Sequence, residues 1–443
     1  MRQVQKRQQV ENGGEQVGTS GAVEGRLPPL AGYRALDLTQ YEENVCGKMM
    51  ADLGVEVIRV EPPQGDPTRR RGPFYHDDPS PERSLFFWYY NRGKRAITLN
   101  LSSPDGQALF KKLVPKVDWV IESFPAGTLE KLGLGWERLK ELNPRLILTS
   151  ITPFGANGPY KSFLGPDLVL SALGGASFLA GDPQRQPLRI SFPQYHLHAG
   201  AEACAASMIA HWDRQKHGRG HHVTVAAQLS VIRTLMNATG FPPMQHEVLQ
   251  REGAWMKLGT IPIPAAIPCK DGYATIMLVG GSLGGSINAL VQWMHEEGFS
   301  VETIGSRNWK ELDFIELLQM GEAGNVFIQR VVNEVEQFFA AHTKAELFEG
   351  AVQRRILLAP INNVQDIAQD VQLAARDYWR EVEHEAEGTK LRYPGPWVKM
   401  TATPLVDNPK RAPRIGEDNV AIYQEELGLS TEQLHSLAQA GVI

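Results

Sequence analysis

Six short apolar runs punctuate the first half of the chain, at 33–38, 55–61, 96–101, 119–124, 146–151 and 223–226. Their length and their Val, Ile and Leu content predict strands, and the stretches between them carry a helical repeat. Residues 44–53 predict a helix closed by Gly54 in the position after the cap. Ser103-Pro104-Asp105 predicts another, with Ser103 as N-cap and Pro104 in the first turn. Its apolar residues Ala108, Leu109, Leu113 and Val114 share one face. A third helix is expected over 199–216, ending at Gly218. The alternation predicts an α/β protein whose large domain is a mostly parallel sheet wrapped by helices.

Past residue 240 the pattern changes. Residues 253–268 are interrupted by prolines and read as loop, and Asp271-Gly272 is a turn signal before a strand at 273–278. Helical stretches dominate 286–372 and predict a second, smaller α/β domain. Residues 393–414 carry five prolines and read as an extended crossing, and 430–440 as a short amphipathic helix. The expected division is an N-terminal extension over 1–27 and a large domain over 28–227 completed by 415–443. A small domain follows at 271–372, with linkers at 228–270 and 373–414. No internal repeat is present.

Composition narrows the function. A net charge of −5 over 443 residues offers no basic surface for nucleic acid. No apolar stretch approaches the roughly 20 residues of a membrane span. The polar start, 1–26, lacks the apolar centre of a signal peptide and reads as disordered. Cys46, Cys204 and Cys269 are scattered, which points to a reduced cytoplasm and away from a disulfide framework or a zinc site. The twelve His residues show no metal-binding spacing, so no metal is expected.

Asp167 is the most informative candidate. Alone, after Gly165-Pro166 and before an apolar helix, it is an N-cap acid. A helix N-terminus also keeps a carboxylate ionised and able to attack a carbonyl. Gly280-Gly281-Ser282-Leu283-Gly284-Gly285 lacks the context of a dinucleotide fingerprint and reads as a mobile loop. Arg69-Arg70-Arg71 fits a solvated face, or the phosphates of a ligand. Phe86-Phe87-Trp88-Tyr89-Tyr90 fits core packing, or recognition of an aromatic or bulky acid.

Taken in order, the motifs resemble the family III CoA-transferases, the CaiB/BaiF or formyl-CoA transferase group. The resemblance runs from Leu30 to Ile443. It rests on Ala51-Asp52-Leu53-Gly54-Val55-Glu56-Val57-Ile58-Arg59-Val60-Glu61, Asn91-Arg92-Gly93-Lys94-Arg95, Gly165-Pro166-Asp167 through Gly174-Gly175, and Gly218-Arg219-Gly220-His221. Three departures bear on substrate choice. Glu42-Glu43-Asn44 stands where the family often has A-G-P. Pro125 replaces a common Arg in Glu122-Ser123-Phe124-Pro125-Ala126-Gly127. His196 replaces an Asp.

The resemblance implies an enzyme that moves CoA from an acyl-CoA donor, succinyl-CoA by family habit, to a carboxylic acid. Asp167 would carry the acyl group and then CoA. Gln40, Arg59, Lys94 and Lys131 map to CoA contacts, and amides near Gly174-Gly175 or Gly280-Gly281 to oxyanion donors. Coenzyme A enters as a substrate, and no cofactor is bound permanently. The family's interlocked rings imply an obligate dimer, either a homodimer or a heteromer with a related subunit. Two rivals are an α-methylacyl-CoA racemase and a CoA-binding subunit of a heteromeric transferase. A racemase needs a His upstream of the Asp, and none lies between His76 and His196.

Overall fold

The computed structural model describes residues 26–258, 261–406 and 410–443. The extension expected over 1–27 therefore lies, up to residue 25, outside the described residues. The chain divides into two compact units. The first takes the described residues up to Leu164, with His196–Ala227 and Tyr378–Ile443; the second takes Gly165–Tyr195 and Gln228–Asp377. The sequence reading instead kept 165–195 within the large domain and treated 373–414 as a crossing.

The first unit is built on six strands: β1 (Arg34–Leu38), β2 (Glu56–Glu61), β3 (Arg95–Thr98), β4 (Trp119–Glu122), β5 (Ile147–Thr152) and β6 (His221–Ala226). All pairings are parallel and the order is β3-β2-β1-β4-β5-β6. Every residue of β4 and β5 is buried, as expected for parallel strands covered on both faces. The order reverses between β1 and β4, and ligands of open α/β sheets settle outside the carboxyl ends of strands at such a point.

One face of the sheet packs Leu36, Leu38, Ile58, Val60, Ile97, Val120 and Leu148 against Leu109, Phe110 and Leu113 of the helix Pro104–Leu113. Ser103 caps that helix by accepting from the Gly106 amide at 3.0 Å. The C-terminal segment completes the core with Ile422, Tyr423, Val442 and Ile443. Tyr423 donates its hydroxyl to the Thr98 carbonyl at 2.8 Å, which ties this segment to β3. Within the expected crossing, Trp379–His384 and Thr389–Pro394 form an antiparallel hairpin. Its Val382 and Tyr393 bury Phe87 and Trp88, so these rings of the aromatic run serve core packing.

The second unit has an antiparallel sheet of Leu358–Ile361, Gly272–Ile276 and Ile267–Cys269, and a hairpin of Trp255–Leu258 with Ile261–Pro264. The expected loop over 253–268 thus contains strands. Ile261, Ile263 and Ile267 point inward while Pro262 and Pro268 are exposed, and these edge strands do not need every N–H. The helix Glu322–Ala340 covers them with Ile328, Val331, Val332, Val335, Phe338 and Phe339, a helical repeat. Gly350 permits close contact with the Trp293 ring, since a Cβ there would lie 2.1 Å from it.

Candidate active site

The carboxyl edge of the parallel sheet is crowded with buried charge. Asp37 of β1 accepts from Lys94 Nζ at 2.7 Å, Arg59 Nη1 at 3.1 Å and Thr39 Oγ1 at 2.6 Å. Burial alone would raise the Asp37 carboxyl, but Lys94 and Arg59 hold it below its ordinary value. Lys94 also donates to the Asn44 carbonyl and to Asn91 Oδ1. Arg59, on β2, donates to Asp66 as well. The helix Val45–Asp52 can reach this cluster because residue 47 is glycine: a Cβ there would lie 2.2 Å from Asp37 Oδ2.

Arg69 is equally enclosed, between Glu61, Glu82 and the Pro413 carbonyl, and Arg71 pairs with Glu42. Of the arginine run only Arg70 is exposed. Two of the departures meet at the same edge: His196 Nδ1 contacts Glu43 Oε1, whose carboxyl burial pushes up against the opposing effect of the imidazole.

β1 and β4 are stitched together where their order reverses. The Gln40 amide donates to Ser123 Oγ at 2.7 Å, and the Phe124 amide to Glu122 Oε2 at 2.7 Å. Gln40 is half-buried, and Lys131 is exposed at the end of the helix Thr128–Lys131. Of the four residues mapped to CoA contacts, the structure brings Arg59 and Lys94 together on Asp37, as buried and paired groups. Gln40 and Lys131 present accessible surface, and neither bonds Asp37 among the described residues.

In the second unit, Asp167 opens the helix Asp167–Leu173, whose cap residue is Pro166. Its side chain makes no cap to its own helix. Instead Oδ1 accepts the Gln194 and Tyr195 amides, both at 2.8 Å, at the start of the helix Tyr195–His217. Oδ2 accepts no hydrogen bond among the described residues. A half-buried carboxylate thus has one oxygen held by two donors and the other open.

The glycines expected to supply oxyanion donors are partly committed. The Gly174, Gly175 and Gly281 amides donate to the carbonyls of Leu170, Ala172 and Trp309. Gly174 itself is required by packing, since a Cβ would meet Val231 Cγ1 at 2.4 Å. Sequence reasoning missed Glu122, a 6 % exposed acid whose carboxyl burial pushes up to about 7. The signal available was an acid closing the otherwise apolar run Trp119-Val120-Ile121-Glu122.

A family model described as CoA-transferase family III matches residues 30–419. The chain is 32% identical over 411 residues to the succinyl-CoA:(R)-benzylsuccinate CoA-transferase subunit BbsE of Thauera aromatica, covering 93% of this chain and 97% of that protein. It is 30% identical to the succinyl-CoA–L-malate CoA-transferase beta subunit of Chloroflexus aurantiacus, covering 94% and 98%. It is also 30% identical to a succinate–glutarate CoA-transferase of Agrobacterium fabrum, covering 90% and 96%. Among solved structures, a CaiB/BaiF family protein from Brucella suis superimposes with a TM-score of 0.74 at 27% identity, covering 90% of this chain and all of that one.

Proposed function

The chain belongs to CoA-transferase family III and is a transferase acting on CoA thioesters, and from that premise we propose that it moves CoA from succinyl-CoA to a second dicarboxylic acid through Asp167. The observation that carries this reading is the carboxylate of Asp167, oriented through Oδ1 and open at Oδ2. The named relatives act on succinate, benzylsuccinate, malate and glutarate, all dicarboxylic acids, which supports both the donor and the acceptor class.

The proposed reaction runs in four balanced steps. Asp167 Oδ2 attacks the donor thioester carbonyl, forming a mixed anhydride and releasing the CoA thiolate. The thiolate attacks the aspartyl carbonyl, forming an aspartyl-CoA thioester and releasing the donor carboxylate. The acceptor carboxylate attacks that thioester, giving a second anhydride and thiolate again. The thiolate then attacks the acceptor acyl carbon, and Asp167 leaves as a carboxylate. Splitting one transfer into these steps conserves the thioester energy. The Gln194 and Tyr195 amides hold the nucleophile's carboxylate in one orientation through Oδ1.

In this reading Gln40 and Lys131 touch CoA directly. Arg59 and Lys94 contribute by holding the strand ends that form the cradle. The reading includes a dimeric assembly, supported by the exposed apolar side chains Leu168, Leu173, Phe178, Ile190, Phe192 and Met244 of one unit. A related second subunit is the alternative partner, favoured by the subunit names of two relatives. A cytoplasmic location accords with the three free cysteines.

The test is incubation with succinyl-CoA alone. Intact-protein mass spectrometry should find CoA attached through Asp167, removable by hydroxylamine. Solvent deuterium entering the α-carbon of an acyl-CoA, with no adduct, would instead establish the racemase chemistry.

A further inference from the structure

Glu122 occupies a place that its burial alone does not explain. It closes β4, in register with Leu38 of β1 on one side and Ser150 of β5 on the other. It therefore stands at the reversal of strand order, where a buried acid must be either protonated or well bonded. Its Oε2 accepts the Phe124 amide, which sets the turn that presents Ser123. Ser123 Oγ in turn accepts the Gln40 amide from the exit of β1. The Glu122 carboxyl thus anchors the turn after β4, and the serine of that turn is bonded to the main chain leaving β1. Behind it, Ser150 bonds the carboxyl, and Ser150 Oγ lies 3.0 Å from His222 Nε2 on β6. The His222 ring stacks on Trp136.

We propose that Glu122 is a positioning residue for the CoA thioester: ionised, it grips the loop after β4 and, through Ser123, the main chain at Gln40; protonated, it releases that grip. The proposal rests on the transferase reading above, with Gln40 as a CoA contact. The charged groups acting on the chain of bonds are few. Glu130, on the helix Thr128–Lys131, opposes ionisation of Glu122 and favours the charged form of His222. Glu137, on the helix Trp136–Leu142, acts on His222 alone, whose imidazole burial holds below its ordinary value. With burial pushing Glu122 up to about 7, the change in grip falls in the physiological range. A hydrogen bond to an ionised acceptor exceeds one to a neutral acceptor by enough to change affinity about fivefold.

The experiment measures KM and the dissociation constant of a CoA thioester from pH 5.5 to 9 for the wild type, Glu122→Gln and Ser123→Ala. A dephospho-CoA thioester serves as control, because the phosphate of CoA itself titrates near pH 6, roughly. The expected wild-type result is a tightening of about fivefold as pH rises through about 7, seen in KM and not in the kcat profile and kept with dephospho-CoA. Glu122→Gln should be flat at the weak limit. Ser123→Ala should also lose the step, although it leaves the carboxyl in place. Far-ultraviolet circular dichroism and melting confirm that each variant is folded. A step that survives in Glu122→Gln overturns the positioning role while leaving the transferase reading intact. A wild-type protein that binds no CoA thioester at any pH overturns both.

Discussion

At the carboxyl edge of the parallel sheet, Asp37 has both oxygens engaged, by Lys94, Arg59 and Thr39, and is wholly buried. In the other unit Asp167 is half-buried, with two amides on one oxygen and, among the described residues, no hydrogen bond on the second. Both are aspartates near the start or end of an element. Their surroundings suit them to different work. A carboxylate locked between two cations stabilises architecture, and removing one partner is costly. A carboxylate oriented by main-chain donors with a free oxygen can act as a nucleophile.

The sharpest way to break this comparison is to remove each acid's function in turn. Asp167→Ala should abolish CoA transfer, by at least about 10³-fold in kcat, while the chain still folds and binds acyl-CoA. Substantial turnover in that variant would end the proposed mechanism. Lys94→Met should act oppositely. It leaves Asp37 buried with Arg59 as its remaining cation, so a stability loss of about 3 kcal/mol is expected, at the low end for a broken buried pair. Urea unfolding measures it. A loss below about 1 kcal/mol would mean that Lys94 is free to leave Asp37 for a ligand, restoring it as a direct CoA contact.

The sequence made the large sheet legible because its strands are buried on both faces and read as unbroken apolar runs. All six expected strands are present, with ends shifted by a few residues. The helix expected from 199 begins at Tyr195 because its first amides are satisfied by Asp167, 28 residues away, and no local capping pattern announces that. The hairpin at 379–394 was hidden by neighbouring prolines, although Val382 and Tyr393 supply its buried side. Motif likeness located Lys94 and Arg59 but could not reveal their burial. That depends on Asp37, 57 residues from Lys94 in the chain. Asp167 stood out because its glycine and proline flanks carry the resemblance; its partners did not.

Glu122 lies between the two extremes, buried like Asp37 but, among the described residues, paired with no cation. Folding raises its carboxyl from the ordinary 4.5 to about 7. Between those values the folded chain holds a proton that the unfolded chain has released. Stability therefore falls as pH rises through this window, and above pH 7 the cost is complete, about 3 kcal/mol. Glu122→Gln should remove the cost. At pH 8 the variant should unfold at higher urea than the wild type, and below about pH 4.5 the difference should vanish. A variant less stable than the wild type at pH 8 would show that the ionised carboxyl is better satisfied than its burial implies.

The smallest effect is expected at Lys131, whose side chain is exposed and at the end of a short helix. Lys131→Ala should change stability by no more than about 0.5 kcal/mol, as for an exposed surface position. If its ammonium meets a phosphate of CoA, KM for the thioester should rise about two- to fivefold at low salt. An exposed ion pair is screened over about 10 Å at 0.1 M salt and about 3 Å at 1 M. The ratio of the variant's KM to the wild type's should therefore shrink towards unity as salt increases, whereas a change caused by altered packing would persist. A salt-independent ratio, or no change in KM at all, would remove Lys131 from the CoA site and leave Gln40 as the remaining direct contact among the four mapped residues.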